Sequence, residues 1–161
     1  MSRMRAFTIF VCLSFAGSAH AQTVRHIGPA EAPIAAAVEV PGGARTFYVS
    51  GTTPDVADAN APAGSVARYG DTAAQTRSEL AKIEKQLAAA GMGLGDVVMM
   101  RVFLVAPPGA QRMDFAGMMA AYREKFGTPA QPNKPARATM QVAALVDPGW
   151  LVEIEVTAAR K

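Results

Sequence analysis

The sequence predicts a two-layer α+β fold, in which a mixed β-sheet carries two helices packed on one of its faces. Two observations lead to this prediction. Strand and helix patterns follow one another in the order β-β-α-β-α-β-β, and each helical pattern has a single apolar stripe. Because both helices then cover the same sheet face, the opposite face stays open to solvent unless a second copy of the chain covers it.

The first 21 residues have the pattern of a secretory signal peptide. Arg3 and Arg5 precede an apolar run from Ala6 to Gly17, and Ala19-His20-Ala21 supplies a small-residue cleavage site. The apolar run is short for crossing a bilayer, which argues against a membrane anchor. We therefore expect cleavage after Ala21, export to the periplasm without membrane attachment, and one domain over residues 22–161.

Composition and charge exclude several functions for that domain. The whole chain has a formal charge of +3, of which Arg3 and Arg5 contribute two, so residues 22–161 carry +1 and give no electrostatic case for nucleic-acid binding. The single cysteine, Cys12, lies in the predicted leader, which leaves no thiol for a disulfide, a zinc site or a nucleophile. His26 is then the one remaining histidine and cannot build a metal site alone, so we expect no metal site.

The first predicted strands run from Ile34 to Val40 and from Arg45 to Ser50, with Pro41-Gly42-Gly43 between them. Because this tripeptide is typical of a turn, we interpret the pair as a β-hairpin. The stretch from Pro54 to Tyr69 is rich in Pro, Ala, Asp and Gly, lacks periodicity and is long for a connection inside a domain. Such a loop is either a lid or a disordered insert.

A helix and a central strand follow. Apolar side chains recur at three- and four-residue steps from Ala73 to Ala90, with Asp71 or Thr72 as the N-cap and Gly91 as the stop. These features predict an amphipathic helix. The short apolar segment from Val97 to Val105 is bounded by glycine and proline, which favours a central strand over a helix.

A second helix is predicted between Asp114, which is placed to cap it, and Gly127 with Pro129, which close it. Its apolar residues form one stripe. We interpret this methionine-rich stripe as core; it consists of Phe115, Met118, Met119, Tyr122 and Phe126.

The last two predicted strands carry charged side chains and are joined by a turn at Asp147-Pro148-Gly149-Trp150. A period of two groups Arg137 with Thr139 and Gln141 in one strand, and Glu153 with Glu155 and Thr157 in the other. We expect both groups on the sheet face without helices. If the strands form a hairpin about Pro148, Arg137 and Glu153 lie roughly 20 Å apart, so they can share a site only across a subunit contact or under a different strand pairing.

On periodicity alone, two interpretations of these charges stay open. Arginine and glutamate on a half-exposed strand are usually solvated, and surface ion pairs contribute little to stability. Alternatively, they are held in place for a ligand. The simpler interpretation is favoured until further motifs are considered.

Four motifs occur in a characteristic order: YVSG from Tyr48 to Gly51, the helix and its flanks from Gly70 to Val98, VFL from Val102 to Leu104, and PAR followed by VEIEV. With them the chain resembles the RidA (YjgF) family, also labelled endoribonuclease L-PSP, over nearly all of residues 22–161. The resemblance implies a chorismate-mutase-like α+β fold and a homotrimer with ligand sites at subunit interfaces. It also implies hydrolysis of 2-imino and enamino acids to 2-oxo acids and ammonia without a cofactor.

The resemblance also implies roles for individual residues. Arg137 matches the arginine that holds the substrate carboxylate, and Glu153 matches the acidic residue that positions or activates water. Gly51, after Ser50, matches a backbone contact of the same pocket. Glu155 shares a face with Glu153, so a shift of two residues in strand register would exchange the two glutamates.

The chain departs from the family pattern at three pocket positions. Ala37 stands where many members have a tyrosine, Met119 where an asparagine is frequent, and Thr139 where a cysteine is common. The Pro54 to Tyr69 loop is also longer than usual, and Trp150 enlarges the last turn. These changes affect the expected size of the substrate and the rate of its turnover. They affect less the expectation that Arg137 anchors the substrate.

Three functions are therefore considered. The first is a deaminase of 2-imino and enamino acids, because Arg137 and Glu153 are both present. The second is a trimeric protein that binds small carboxylates, such as 2-oxo acids, without turnover. The third, RNA cleavage, is disfavoured by the low charge of residues 22–161 and by the lack of a histidine pair.

Overall fold

The computed structural model describes residues 23–161. The predicted signal peptide lies outside these residues, so it stays a prediction. In chain order the elements are β1 (Arg25–Ile27), β2 (Ala37–Glu39), β3 (Arg45–Thr52), α1 (Val66–Tyr69), α2 (Thr72–Ala89), β4 (Val97–Leu104), α3 (Phe115–Arg123), β5 (Ala136–Gln141) and β6 (Val152–Arg160). No helix among these elements is long and apolar enough to cross a membrane.

A four-stranded mixed sheet forms one layer, with the strand order β3-β6-β4-β5. Strand β6 is antiparallel to both of its neighbours, whereas β4 and β5 are parallel. The helices α2 and α3 form the second layer, and the core lies between the layers; it includes Leu80, Ile83, Leu87, Met100, Val102, Met118, Ile154 and Val156. The two-layer α+β prediction is confirmed.

Both long helices begin where the sequence predicts, but α3 ends at Arg123, short of the predicted end at Gly127, so Phe126 lies beyond the helix. The Asp71 carboxylate accepts a hydrogen bond from the Ala74 amide at 2.8 Å, and the Asp114 carboxylate does the same for Gly117 at 2.8 Å. After α2 the chain reverses at Gly91, whose φ of +68° is the left-handed conformation that glycine adopts without strain.

The predicted first hairpin is wrong. Strand β2 pairs with β1, a strand that the sequence did not reveal, in a register that places Ile27 opposite Ala37. Strand β3 instead pairs along its length with β6. A turn motif is a local signal, whereas the choice of partner depends on which distant strand offers a long apolar face, and β6 offers one.

The predicted final hairpin is also wrong. The turn exists, since the Trp150 amide donates to the Asp147 carbonyl at 3.0 Å, but the strands on either side of it do not pair. Both β5 and β6 pair with β4, on its two sides. The reason is that β4 is apolar over most of its length and occupies the centre of the sheet, and α3 supplies the crossover that a parallel β4–β5 pair requires.

The long loop from Pro54 to Tyr69 contains α1 and packs against α2 and the final turn. Lys82 of α2 pairs with Asp55 at 3.0 Å, and the Tyr69 hydroxyl donates to Asp147 at 2.8 Å. The Trp150 ring stands edge-on to the Tyr69 ring, and the two ring centroids are 6.2 Å apart. The loop and the enlarged turn therefore contact each other.

Candidate functional site

Arg137 lies on the helix side of the sheet, which corrects the prediction that it faces away from the helices. Its register partner in β4 is Met100, a core residue. One guanidinium nitrogen, Nη2, lies 3.0 Å from the Met119 sulfur, and Nη1 lies 4.0 Å from the Met118 sulfur. The prediction failed because the alternate residues of β5 are small alanines, which do not demand burial, while the arginine stem is long enough to pack against α3.

Two aromatic rings complete the surroundings of this guanidinium. Its central carbon lies 4.4 Å from the centroid of Tyr122 and 5.9 Å from that of Phe115, which places it within reach of both ring faces. Phe115 remains 44% exposed, whereas Met118, Met119 and Tyr122 are buried. The stripe interpreted as core therefore also forms one wall around Arg137.

Arg137 has no acidic partner within the described part of the chain. The six ion pairs formed there all involve other cations. Burial lowers the pKa of Arg137, although an arginine remains a cation at any physiological pH. Burial also raises the pKa of Tyr122 to about 12, against the opposing effect of Arg137. The site thus presents a half-buried positive charge that lacks a counterion.

Beside Arg137 the edge of the sheet borders an open cavity of about 420 Å³. The segment before β2 forms its other side, and Ala35 of that segment bridges to Ala136 of β5. A small carboxylate fits the chemistry of the Arg137 guanidinium, because a guanidinium fork grips a carboxylate with two charge-assisted hydrogen bonds.

The side chain of Glu153, on β6, lies against a β-bulge in β3, although the bulge itself is opposite Glu155. Val49 is opposite Val156 and Thr52 is opposite Ile154, so Ser50 and Gly51 together face a single residue of β6. A Cβ atom added at Gly51 would overlap the Glu153 carboxylate. Glycine at this position therefore lets the Glu153 side chain lie directly against the backbone of β3.

The two neighbouring glutamates differ in their partners. Glu155 accepts a hydrogen bond from Arg101 at 2.8 Å and forms an ion pair with it on the open face of the sheet. Glu153 takes part in none of the ion pairs within residues 23–161. Of the two, Glu153 is the carboxylate left without a cation.

One chain does not bring Arg137 and Glu153 together. Arg137 is level with Met100 and hence with Val156, which places Glu153 two strands away and three residues further along. At strand spacings of about 4.8 Å and rises of about 3.3 Å per residue, each of these two displacements is about 10 Å. The side chains also point to opposite faces, because Met100 faces the core while Glu153 alternates with the core residues Val152 and Ile154.

The remaining predicted site residues are divided between the two places. Thr139 shares the helix side of β5 with Arg137, and its hydroxyl is buried without a hydrogen-bond partner among residues 23–161. Ser50 is exposed in the bulge beside Gly51, and Ala37 is exposed on β2. No group of three or more His, Cys, Asp or Glu side chains within the described residues is arranged to hold a metal ion.

Sequence reasoning missed three residues at these places. Phe115 and Tyr122 were assigned to the core alone, and no signal in the helix pattern links them to an arginine on another element. Glu79 is a fully buried carboxyl on α2 and went unnoticed. It could have been found, because it lies one residue before Leu80 and four before Ile83, within the buried stripe.

The fold and the unpaired arginine define a class of small two-layer α+β proteins whose candidate ligand is an anion held at an edge strand. The family model described as Endoribonuclease L-PSP matches residues 29–160, and the chain belongs to this family. A RutC family protein of Pyrococcus horikoshii is 38% identical over 92 residues, which is 57% of this chain and 65% of that protein. The match thus spans slightly less than two thirds of the relative.

Solved structures show the same relationship. The conserved Rid family protein YyfB of Yersinia pestis, described as of unknown function, is 30% identical with a TM-score of 0.61, over 85% of this chain and 98% of that one. E. coli TdcF, solved with bound serine, is 26% identical with a TM-score of 0.55, over 85% of this chain and 99% of that one. The YjgF gene product of E. coli is 29% identical with a TM-score of 0.55, over 85% and 99%.

Proposed function

We propose that this protein hydrolyses reactive 2-imino and enamino acids to 2-oxo acids and ammonia without a cofactor. The observation that carries the proposal is Arg137, a half-buried guanidinium with thioether and aromatic neighbours and no carboxylate partner within residues 23–161. A buried charge without a partner is costly, so the protein retains it for a ligand that supplies the opposite charge. The serine bound to the related TdcF, which carries a carboxylate, supports a ligand of this class.

The proposed reaction needs little beyond positioning. The guanidinium of Arg137 holds the substrate carboxylate, and the Glu153 carboxylate orients a water molecule and accepts its proton as the water oxygen bonds to the imine carbon. The electron pair of the C=N bond moves to nitrogen, which takes up a proton. The C–N bond of this adduct then breaks as its hydroxyl proton is transferred to the departing nitrogen, giving the 2-oxo acid and ammonia. An enamine enters the same path after protonation at carbon.

Because Arg137 and Glu153 lie on opposite faces of one chain, the proposal includes an assembly in which one copy supplies the arginine and another the glutamate. We propose the homotrimer that the family resemblance implies. The open sheet face supports association, since it exposes apolar surface including Tyr48, which is 76% exposed, and Met140 at 36%.

The decisive experiment mixes two inactive variants. Arg137→Ala and Glu153→Gln are purified separately, each is assayed, and the two are then mixed under conditions that allow subunit exchange. The assay follows loss of imines generated in place by an amino acid oxidase. If sites form between neighbouring copies, a random mixed trimer contains intact sites at about one quarter of its interfaces, so about a quarter of wild-type activity returns.

Each outcome of this mixing has a distinct meaning. Recovery near one quarter supports both the reaction and the shared site. Active wild type with no recovery after verified exchange places both groups in one subunit and contradicts the shared site. Wild type that does not exceed the spontaneous rate for any imine contradicts the deaminase proposal.

A second candidate is a binding protein for small carboxylates that turns nothing over. It is favoured by the methionine sulfur that lies closest to the arginine, because Met119 supplies no polar group to the reacting atoms. Calorimetric titration with 2-oxobutanoate distinguishes the two functions. Binding that needs Arg137, without any acceleration of imine loss, makes the second candidate the better account.

The predicted leader extends the proposal to a site of action outside the cytoplasm. A source of imines there, such as an exported amino acid oxidase, is required for the proposed reaction. Cell fractionation with an antibody against residues 22–161 tests the location. Recovery of the protein in the cytoplasmic fraction, with its leader uncleaved, contradicts it.

A further inference from the structure

Phe115 is the exposed member of the group of α3 side chains that lies around the Arg137 guanidinium. Met118, Met119 and Tyr122 are buried and close the inner side of this group. Phe115, in the first turn of the same helix, is 44% exposed, and its ring centroid lies 5.9 Å from the central carbon of the guanidinium. A ligand that reaches the guanidinium from solvent on this side of the sheet therefore meets the Phe115 ring.

The polar side chains beside Arg137 offer little to a polar ligand. The hydroxyl groups of Thr139 and Tyr122 are buried. Gln141 is on the same side of β5, and its side-chain oxygen already accepts from the Met113 amide at 2.8 Å. A hydroxyl or amide group on the ligand would lose its hydrogen bonds to water here without gaining a free partner among these side chains, and that loss is costly.

The cavity at the edge of the sheet is also apolar. Of the residues that line its volume of about 420 Å³, Arg137 is the charged one, and all the others have apolar side chains. They include Ile34 from the segment before β2, and Met99 and Ala138 from the sheet. A ligand side chain that passes to this side of β5, instead of toward Phe115, therefore meets apolar groups as well.

We propose that the site selects substrates with apolar side chains, namely the 2-imino acids derived from aliphatic, thioether and aromatic amino acids, and that Phe115 makes this selection. The substrate carboxylate lies on the Arg137 guanidinium, and the carbon chain of the substrate packs against the Phe115 ring. This contact removes apolar surface of both partners from water, so a longer apolar chain binds more tightly. As an assignment of substrate the proposal rests on the proposed function, whereas the ligand preference itself requires no turnover.

The preference is measured by calorimetric titration of wild type with 2-oxo acids, so that no imine has to be generated. 2-Oxobutanoate and hydroxypyruvate are compared first, because they are of the same size and differ in a methyl group against a hydroxyl group. 4-Methyl-2-oxopentanoate extends the apolar chain, and 2-oxoglutarate adds a second carboxylate. We expect 2-oxobutanoate to bind about tenfold more tightly than hydroxypyruvate, and 4-methyl-2-oxopentanoate to bind about tenfold more tightly still.

Variants of Phe115 test the residue itself. In Phe115→Ser the preference for 2-oxobutanoate over hydroxypyruvate falls to about twofold, because the contact with Arg137 is kept and the ring is lost. Phe115→Leu retains an apolar side chain and restores most of the preference. Should the serine variant be unstable, Phe115→Gln repeats the test with a longer polar side chain. Val146→Ser is the control, because Val146 is 90% exposed in the connection between β5 and β6, and we expect it to leave the preference unchanged.

Two results for the wild type overturn the proposal. One is equal affinity for 2-oxobutanoate and hydroxypyruvate. The other is tightest binding of 2-oxoglutarate, which would show that a second cation, such as Arg123 at the end of α3, takes part. A preference that persists in Phe115→Ser or Phe115→Gln overturns the role of Phe115 and assigns the selection to the apolar cavity.

These outcomes can be distinguished from failure of the proposed function. Preference for apolar 2-oxo acids without acceleration of any imine contradicts the deaminase and keeps the ligand class. Equal kcat/KM for the imines of alanine, serine and leucine supports the deaminase and contradicts the selection. If none of the four 2-oxo acids binds, the anchoring role of Arg137 is contradicted together with the selection.

Discussion

Arg77 and Arg137 are two guanidinium groups of one chain in opposite circumstances. Arg77, on α2, grips Glu124 with Nε 3.0 Å from both carboxylate oxygens and Nη2 2.8 Å from one of them. Its side chain is 49% exposed. Arg137 is half-buried, and its guanidinium lies against sulfur and aromatic groups of α3. The surface arginine, where an ion pair contributes little, therefore has an acidic partner. The half-buried arginine, where a partner matters more, has no acidic partner among residues 23–161.

The difference shows which charge the protein reserves for a ligand. The fork between Arg77 and Glu124 displays the two-point contact that a carboxylate can make with any accessible guanidinium. Arginine cannot escape burial by losing its proton, whereas burial raises the pKa of Glu79 well above its usual value and so favours the uncharged carboxyl group. A half-buried arginine must therefore obtain its counterion from outside the described residues. Glu153 is the reverse case, a carboxylate that forms no ion pair with a cation of the described residues.

The largest effect is expected from removing the unpaired guanidinium. Arg137→Ala eliminates two charge-assisted hydrogen bonds to the substrate carboxylate, so kcat/KM for imine hydrolysis falls about a thousandfold, equivalent to about 4 kcal/mol. Arg137→Lys keeps the charge but not the fork and recovers only part of the activity. Steady-state kinetics on several imines measures both variants.

Arg77→Ala is the matched control for this prediction. It removes a guanidinium that already has an internal partner and lies on the surface of α2, so kcat/KM stays within about twofold of wild type. If the two alanine variants lose similar activity, the contrast between the arginines has no functional meaning. The same follows if 2-oxobutanoate protects wild type and Arg137→Ala equally against thermal unfolding.

A smaller effect is expected at the carboxylate side of the proposed site. In Gly51→Ala the new methyl group overlaps the Glu153 carboxylate and forces it to move, and a displacement of about 1 Å from a productive geometry lowers kcat by about tenfold or more. The backbone at Gly51 is not in the left-handed region, so stability changes little. Gly42→Ala, where the methyl group meets open space, controls for the substitution itself. If kcat is the same in the two variants, the position of the Glu153 carboxylate does not matter for the reaction, and its proposed role is contradicted.

The helices of this fold were predictable because their signals are local. An N-cap aspartate, a three- and four-residue apolar spacing and a terminal glycine all act within one segment. Helix α2 lies where these signals place it, and α3 begins where they place it but ends at Arg123, before the predicted glycine. Strand pairing was not predictable in the same way. Both predicted hairpins were wrong because β3 and β5 pair with the distant strands β6 and β4 instead of with the strands across their local turns. The sequence of a turn carries no information about such distant partners.

For the candidate site, too, the features carried by short local motifs could be predicted, and the features that depend on tertiary structure could not. Arg137 and Glu153 could be named from short motifs, and the prediction that one chain keeps them apart agrees with the structure, although the pairing assumed for it was wrong. The face of Arg137 could not be predicted, because a strand that alternates alanine with polar residues has no clear apolar side. The rings and sulfurs around the guanidinium belong to α3, and only tertiary structure brings them to β5.

The smallest effect concerns stability and has opposite signs for the two arginines. Arg137→Met replaces an unpaired half-buried charge with an apolar side chain of similar length, among sulfur and ring neighbours that suit it, so we expect the free energy of unfolding to rise by about 1 kcal/mol. For a chain of this size that raises the unfolding midpoint by about 3 °C. Arg77→Met should lower the unfolding midpoint only slightly, because it leaves the surface carboxylate of Glu124 without its partner. Calorimetry at one fixed protein concentration measures both, since association of copies also shifts the midpoint. If Arg137→Met instead has a lower unfolding midpoint than wild type, Arg137 already has a partner in the assembled protein. The two arginines then do not differ in whether their charge is paired.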